Sequence, residues 1–382
     1  MAFISGPRQV GKTTIAQHVI SQHSRTAYLN WDYLPDRQEI LANCVDTIAK
    51  LNSSLGDGKP ILVFDELHKY KDWKNYLKGL YDKYAKDLQI IVTGSAKFNT
   101  FRKSGDSLLG RYLHYTIFPL SVGEFSHQPL NEKMMRQACH IDESIWRNLY
   151  QYGGFPDNFL QADDAFSLRW HQLRKQQLFR EDIREIQNIQ NLSQFEMLAQ
   201  LIEHQAGGLL NYSALAVKTR VTDVTIRSWL SLLEVCYFCF RLQPWSENIA
   251  RALIKEPKIY LWDGSVLSDE GQRAEHFVAI HLQKSVSLWN ESGIGIFGLY
   301  FIRDKEKREV DFLITKNEKP WMLIEVKKSD TVISKNLQVF HEKLGTTYAF
   351  QVVIDLPYQE GDVFAKPGLW LVPARTFLSQ LA

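Results

Sequence analysis

Eight residues near the start, Gly6-Pro7-Arg8-Gln9-Val10-Gly11-Lys12-Thr13, constrain this chain more than any others. They satisfy G-x-x-x-x-G-K-[ST], a loop whose backbone N–H groups can all turn inward around a phosphate, with glycine supplying the backbone freedom. Lys12 is expected to reach the β- and γ-phosphates of a nucleoside triphosphate as a point charge, and the Thr13 hydroxyl to ligate Mg²⁺. Thr14 continues into a helix whose N-terminus adds partial positive charge. The flanks agree: Ala2-Phe3-Ile4-Ser5 reads as the incoming strand and the amphipathic stretch from Thr13 to Ile20 as the outgoing helix. Candidate nucleotide contacts are therefore Gly6, Pro7, Arg8, Gln9, Val10, Gly11, Lys12, Thr13 and Thr14.

Such a loop needs an acidic partner at the end of a buried strand. Lys59-Pro60-Ile61-Leu62-Val63-Phe64-Asp65-Glu66 offers one: an apolar β run ending in two carboxylates. In a parallel sheet, ligands sit at the carboxyl ends of the strands, so Asp65 and Glu66 are expected to emerge beside Lys12. Asp65 suits the Mg²⁺ shell, and Glu66 suits a general base that polarises the attacking water. Between these lie a strand at 26–31 and a helix from about Asp36 to Leu51. A further strand, 88–93, runs into Gly94-Ser95. Thr93 and Ser95 are candidates to sense the γ-phosphate, although a strand end is often Thr or Ser for turn reasons alone. Arg111 is placed to offer positive charge to a nucleotide in its own or a neighbouring subunit, and a solvated arginine is the competing reading.

At this point GPRQVGKTT, ILVFDE, IVTGSAKF, LLGRYLHYTIFPLSVGEF and YGGFPD together resemble the bacterial and archaeal AAA+-type ATPases whose C-terminal part is a domain of unknown function. The similarity spans nearly the whole chain. It implies an α/β architecture: a P-loop NTPase core with a parallel sheet over 1–128, a helical lid over 129–205, a winged helix over 206–250 and a C-terminal α/β domain of the restriction-endonuclease type over 251–382. Members of that family usually carry chain ahead of the first strand, whereas this sequence opens at it. Adenine is therefore expected to be held differently, or by residues upstream of Met1.

Composition narrows the partners. With 382 residues, 45% hydrophobic and 23% charged, the chain is long enough for two or three domains, and its net charge of +2 restricts any nucleic-acid surface to a local patch. Four cysteines are too few for a disulfide framework, and Cys236-x-x-Cys239 lies in an apolar run that reads as core. No apolar run approaches the roughly 18 residues of a membrane span and no secretory signal precedes the loop, so the expectation is a cytoplasmic protein with no membrane partner. ATP is the expected ligand. DNA and a second copy of the chain are candidate partners.

In the middle of the chain, Tyr152-Gly153-Gly154-Phe155-Pro156-Asp157 marks a turn, expected as a hinge. The helix 167–186, with Arg169, Arg174, Lys175, Arg180 and Arg184 among acids, reads as a mixed-sign solvated face. Two short helices, 211–216 and 223–234, look like a helix-turn-helix with Thr222 as N-cap, Ile226, Leu230 and Leu233 on the packing side, and 237–242 as a wing strand. DNA contact would fall to Lys218, Arg220 and Arg227, although winged helices also serve as protein-contact modules.

The last third carries different chemistry. A helix from Gly271 to Gln283 holds Glu275, a hairpin pairs 296–301 with 309–314, and Trp321 to Lys328 forms a strand on which Glu325 and Lys327 share a face. This resembles the PD-(D/E)XK nuclease arrangement. The resemblance implies Asp311 and Glu325 as ligands to Mg²⁺ or Mn²⁺, Glu275 assisting a metal, and Lys327 positioning or deprotonating the attacking water. Val310 stands where that pattern has proline. A simple Glu325–Lys327 surface ion pair is the competing reading.

Overall fold

The computed structural model describes residues 1–54, 58–94, 108, 110–131, 134–186, 189, 191–247 and 256–381, without the side chains of 184 and 185. The chain divides into two compact units, Met1–Phe118 with a short stretch from Asp182, and the remainder from Pro119.

The first unit is built on five parallel strands, β1 (Ala2–Ser5), β2 (Thr26–Asn30), β3 (Ile61–Asp65), β4 (Gln89–Thr93) and β5 (Leu113–Thr116), in the order β2-β3-β4-β1-β5. The apolar run of β3 is buried on both faces. Ile61 and Val63 pack with Ala16 of the helix Lys12–Ser21, while Leu62 and Phe64 join Phe3, Trp73, Leu77 and Val92 on the other side. That two-sided burial is why β3 carries no polar alternation. The expected helix from Asp36 to Leu51 is in fact two, Leu34–Leu41 and Val45–Ser53. Asn43 and Cys44 both adopt the left-handed conformation, at φ 61° and 50°, and break the run. Asparagine tolerates that region well, and the break places the Cys44 side chain wholly inside the core.

The second unit begins with helices Glu143–Tyr152, Pro156–Gln161, Asp164–Gln177 and Leu192–His204. Where one helix was expected from 167 to 186, Asp164–Gln177 runs into a π-helical turn, Leu178–Asp182, followed by Ile183–Ile186, which belongs to the first unit. Its charges are not uniformly solvated. Arg174 lies 3.6 Å from the Phe155 ring centroid and donates to Asp263 Oδ2 at 3.0 Å, and Lys175 pairs with Glu203 at 2.7 Å. Helices Tyr212–Thr219 and Asp223–Val235 follow. Thr222 caps the second, accepting from Thr225 N at 3.2 Å, and Ile226, Leu230 and Leu233 are fully buried. No glycine is needed in the turn because Arg220 itself takes the left-handed conformation, φ 56°.

Strands β6 (Cys239–Leu242) and β7 (Lys258–Leu261) pair antiparallel. The helix carrying Glu275 is longer than expected, Glu270–Glu291, and packs on a mixed five-stranded sheet. That sheet contains β8 (Phe297–Arg303), β9 (Glu309–Lys316), β10 (Lys319–Lys327), β11 (Tyr348–Val353) and β12 (Gly368–Pro373), in the order β12-β11-β10-β9-β8. The β8–β9 and β9–β10 pairs are antiparallel, and β10–β11 and β11–β12 are parallel. The helix Lys335–Leu344 makes the crossover the parallel β10–β11 pair requires.

Candidate functional site

The glycine-framed loop leaves the carboxyl end of β1 and enters the helix Lys12–Ser21. Gly6 has φ 149°, and a Cβ there would lie 2.1 Å from the Ile117 carbonyl oxygen, so nothing larger than glycine fits. Gly11, at φ 88°, is the helix N-cap. Among the described residues no side chain caps that end, and its first turn holds no acid, so the amide-rich N-terminus stays available to an anion. Pro7 and Val10 are buried, Gln9 is exposed with φ 62°, and Thr13 and Thr14 are exposed at the helix start. Arg8 forms an ion pair with Asp182.

Lys12 is only 7% exposed and turns its ammonium back into the loop, donating to Gly6 O at 3.1 Å and Pro7 O at 2.6 Å. Burial pulls its pKa down to about 8 against the opposing pull of Glu66 and Asp65. Thr13 donates to Asp65 Oδ2 at 2.9 Å. Asp65 lies at the end of β3, and β4 runs between β3 and β1, so the last residue of β4, Thr93, also meets it and hydrogen-bonds Oδ1. The Tyr28 hydroxyl, from β2, hydrogen-bonds Oδ2. Asp65 is thus held by three hydroxyls.

Glu66 follows in the left-handed conformation, φ 57°, which turns its side chain out of the strand's alternation. Its Oε2 is buried and accepts no hydrogen bond among the described residues, and burial raises its pKa despite Lys69 and Lys12. Lys69 Nζ stands 3.7 Å from that oxygen and 2.6 Å from Asp32 Oδ2, while His68 Nε2 stands 3.7 Å from it, with burial lowering the imidazole pKa to about 4. The oxygens of Thr13 and Asp65 are hard donors of the kind Mg²⁺ takes, and the uncapped helix end beside Lys12 fits a triphosphate.

The loop residues Gly6 to Thr14, Asp65, Glu66 and Thr93 therefore converge at one edge of the sheet. Ser95 lies outside the described residues. Arg111 is not brought to this edge. It precedes β5, its carbonyl accepts from the Met1 amino group at 3.1 Å, and its guanidinium pairs with Asp82 at 2.9 Å, so it sits at the amino ends of the strands. Sequence reasoning missed Tyr28, whose hydroxyl reaches Asp65 only because β2 and β3 are neighbours, with Tyr28 opposite Val63.

A second cluster lies within the second unit. Asp311 Oδ2 accepts from Val326 N at 2.8 Å, tying β9 to β10. Burial, with Glu275 and Glu325 nearby, holds the Asp311 pKa well above the usual carboxylate range. Glu325 is 6% exposed, its Oε1 accepts from Lys327 Nζ at 2.8 Å, and its Oε2 is buried with no hydrogen-bond partner among the described residues. Burial works against the Lys327 charge, but Glu325 and Asp311 raise its pKa. Glu275 Oε1 accepts from Tyr260 Oη at 2.5 Å and from Lys258 Nζ at 3.1 Å. Glu275, Asp311, Glu325 and Lys327 lie near enough to act on one another's charges. Lys258, Tyr260 and Glu309 join them without any sequence signal.

Among the described residues, no helix is long and apolar enough to cross a membrane. Residues 143–270 and 270–373 match the families described as "Domain of unknown function (DUF8612)" and "Domain of unknown function (DUF4143)". Curated relatives include an uncharacterized protein of Mycobacterium tuberculosis, 21% identical over 267 residues, covering 70% of this chain and 55% of the relative. Another, from Methanocaldococcus jannaschii, is 23% identical over 290 residues, covering 68% and 60%. The chain thus spans little more than half the length of these relatives. Solved structures with some likeness include the Bacillus subtilis DNA clamp loader delta protein, 12% identical, TM-score 0.28, covering 61% of this chain and 83% of that one. A second is a Drosophila ORC structure bound to DNA, 13% identical, TM-score 0.26, covering 90% of each chain. Likeness at that level carries nothing further about this chain. The sequence match at the N-terminus is of another kind: residues 1–126 match the family described as "AAA domain", and the chain carries an AAA-type domain there.

Proposed function

We propose that this protein binds ATP with Mg²⁺ at the Gly6–Thr13 loop, hydrolyses it, and uses its nucleotide state to control a C-terminal nuclease-like domain. The observation that carries the reading is the convergence of Lys12, Thr13, Asp65 and Glu66 at one sheet edge, with Lys12 facing the loop carbonyls and Glu66 Oε2 lacking a hydrogen bond among the described residues. Lys12 and the helix N-terminus bind the phosphates. Thr13 and Asp65 hold Mg²⁺, which supplies charge neutralisation when bound. Glu66 accepts the proton of the attacking water at Oε2, a role its raised pKa favours. Thr93 and Tyr28 keep Asp65 in one orientation.

The test is nucleotide binding and phosphate release by wild type, Lys12→Ala and Glu66→Gln. Binding lost in the first variant, and binding kept with hydrolysis lost in the second, is the expected pattern. A normal hydrolysis rate in Glu66→Gln would remove Glu66 as the base.

For the second unit, the proposed domains are a helical lid, a winged helix and a nuclease-like domain, with Lys218, Arg220 and Arg227 as candidate DNA contacts. All three basic side chains are exposed. A second reading, in which the C-terminal domain binds without cutting, is favoured by one observation: a buried lysine, Lys258, lies among the carboxylates. Labelled DNA and RNA incubated with Mg²⁺ or Mn²⁺, with and without ATP, separate the two readings. Cleavage by wild type that is lost in Asp311→Ala supports a working nuclease, and no cleavage supports the switch.

A further inference from the structure

The C-terminal carboxylates, as they stand, do not fit a resident divalent cation. Among the described residues, no three His, Cys, Asp or Glu side chains are gathered as metal ligands. The carboxylates of the cluster are already engaged: Asp311 by Val326 N, Glu325 by Lys327, and Glu275 and Glu309 together by the buried Lys258. Its ammonium lies 2.7 Å from Glu309 Oε1 and 3.1 Å from Glu275 Oε1, and the side chain is only 6% exposed. A lysine is almost never buried this deeply without acidic partners. Nor is it loosely tethered. Lys258 opens β7 opposite Leu242, bridges to Leu209, and is followed by Ile259, Tyr260 and Leu261, all at most 2% exposed. Neighbouring backbone bonds, Leu210 N to Pro257 O at 2.8 Å and Gly207 N to Ile259 O at 2.7 Å, lock the segment on its other side.

We propose that Lys258 is a built-in counter-ion that takes the electrostatic place of a divalent metal and keeps the Glu275–Asp311–Glu325 cluster closed to metal ions. Glu325 Oε2, buried and without a hydrogen-bond partner among the described residues, is an acceptor left for a metal once the neighbouring Lys258 charge is removed. The inference rests on reading Glu275, Asp311, Glu325 and Lys327 as a nuclease-like constellation. It makes the wild-type domain a binding or switching element rather than a cutting one.

The test is Mn²⁺ binding to the full chain without nucleotide, followed by electron paramagnetic resonance of free Mn²⁺ and by the shift of thermal unfolding with added Mn²⁺. Lys258→Met is expected to bind Mn²⁺ at least about 100-fold more tightly than wild type, since one unit charge roughly 5 Å from a divalent ion at an effective dielectric of about 20 opposes binding by a factor on the order of 10⁵ before the site relaxes. The gain should vanish in Lys258→Met with Asp311→Ala. Should Lys258→Met fail to fold, Lys258→Met with Glu309→Gln removes a carboxylate along with the cation and keeps the charge closer to balance. Wild type binding Mn²⁺ as tightly as the variant, with the binding lost in Asp311→Ala, would overturn the counter-ion role while leaving the metal site real. A folded variant that gains no affinity would overturn the inference by removing the nuclease-like reading beneath it.

Discussion

Asp263 offers a test of the packing in the second unit that can be worked through from the structure. Its carboxylate, 8% exposed, receives Arg174 Nη1 at 3.0 Å and Ser265 Oγ at 2.5 Å, and stands 3.4 Å from His171 Nε2. Burial alone would raise its pKa, but the His171 contact and the Arg174 charge win and hold it at about 2, below the ordinary 3.8. A carboxyl whose pKa falls by that much on folding contributes about 2.4 kcal/mol at neutral pH. The sign follows from proton counting. Between pH 3.8 and about 2 the unfolded chain binds the extra proton, so the contribution is complete above 3.8 and fades as pH falls through 2. Asp263→Asn keeps the shape and removes the charge. Urea unfolding followed by tryptophan fluorescence should place the variant about 2–3 kcal/mol below wild type at neutral pH. The difference should hold down to about pH 5 and shrink toward zero near pH 2. A difference that is absent at neutral pH, or that stays constant across the acid range, would refute the claim that Asp263 works as a buried anion held by Arg174 and His171.

Other outcomes follow from single residues. Lys12→Met should abolish ATP binding yet stabilise the nucleotide-free protein at neutral pH by up to about 3 kcal/mol, since burial lowers the lysine pKa and folding therefore opposes its charge; melting curves without nucleotide check the sign. Gly6→Ala should destabilise the first unit by at least about 2 kcal/mol and eliminate nucleotide binding, because its Cβ meets the Ile117 carbonyl at 2.1 Å, and thermal unfolding with an ATP titration reads both. Tyr28→Phe should slow phosphate release roughly ten- to a hundredfold, as the 1.5–3 kcal/mol of a hydrogen bond to a charged group implies, while leaving the fold intact. Thr222→Ala should cost about 1 kcal/mol through loss of the helix cap, measured by chemical unfolding.

The legible part of this protein was local. Strand, glycine loop and helix lie within the first twenty-one residues, and β3 announces itself by four consecutive apolar residues before Asp65. Motifs of this kind need only short-range geometry, so residue order alone places Lys12, Thr13, Asp65 and Glu66 on the strands and turns where they are found. The alternation along β10 likewise puts Glu325 and Lys327 on one face. Tertiary structure decided the rest. Tyr28 became a partner of Asp65 because β2 pairs with β3, and Arg111 was carried to the opposite edge because it precedes a strand parallel to β1. Asp263 meets Arg174 across 89 positions of sequence, and Lys258 meets Glu309 from a different strand pair. Such pairings depend on which strands become neighbours and which helices pack together. A buried charge selects its partner through space, where separation along the chain leaves no periodic or compositional trace.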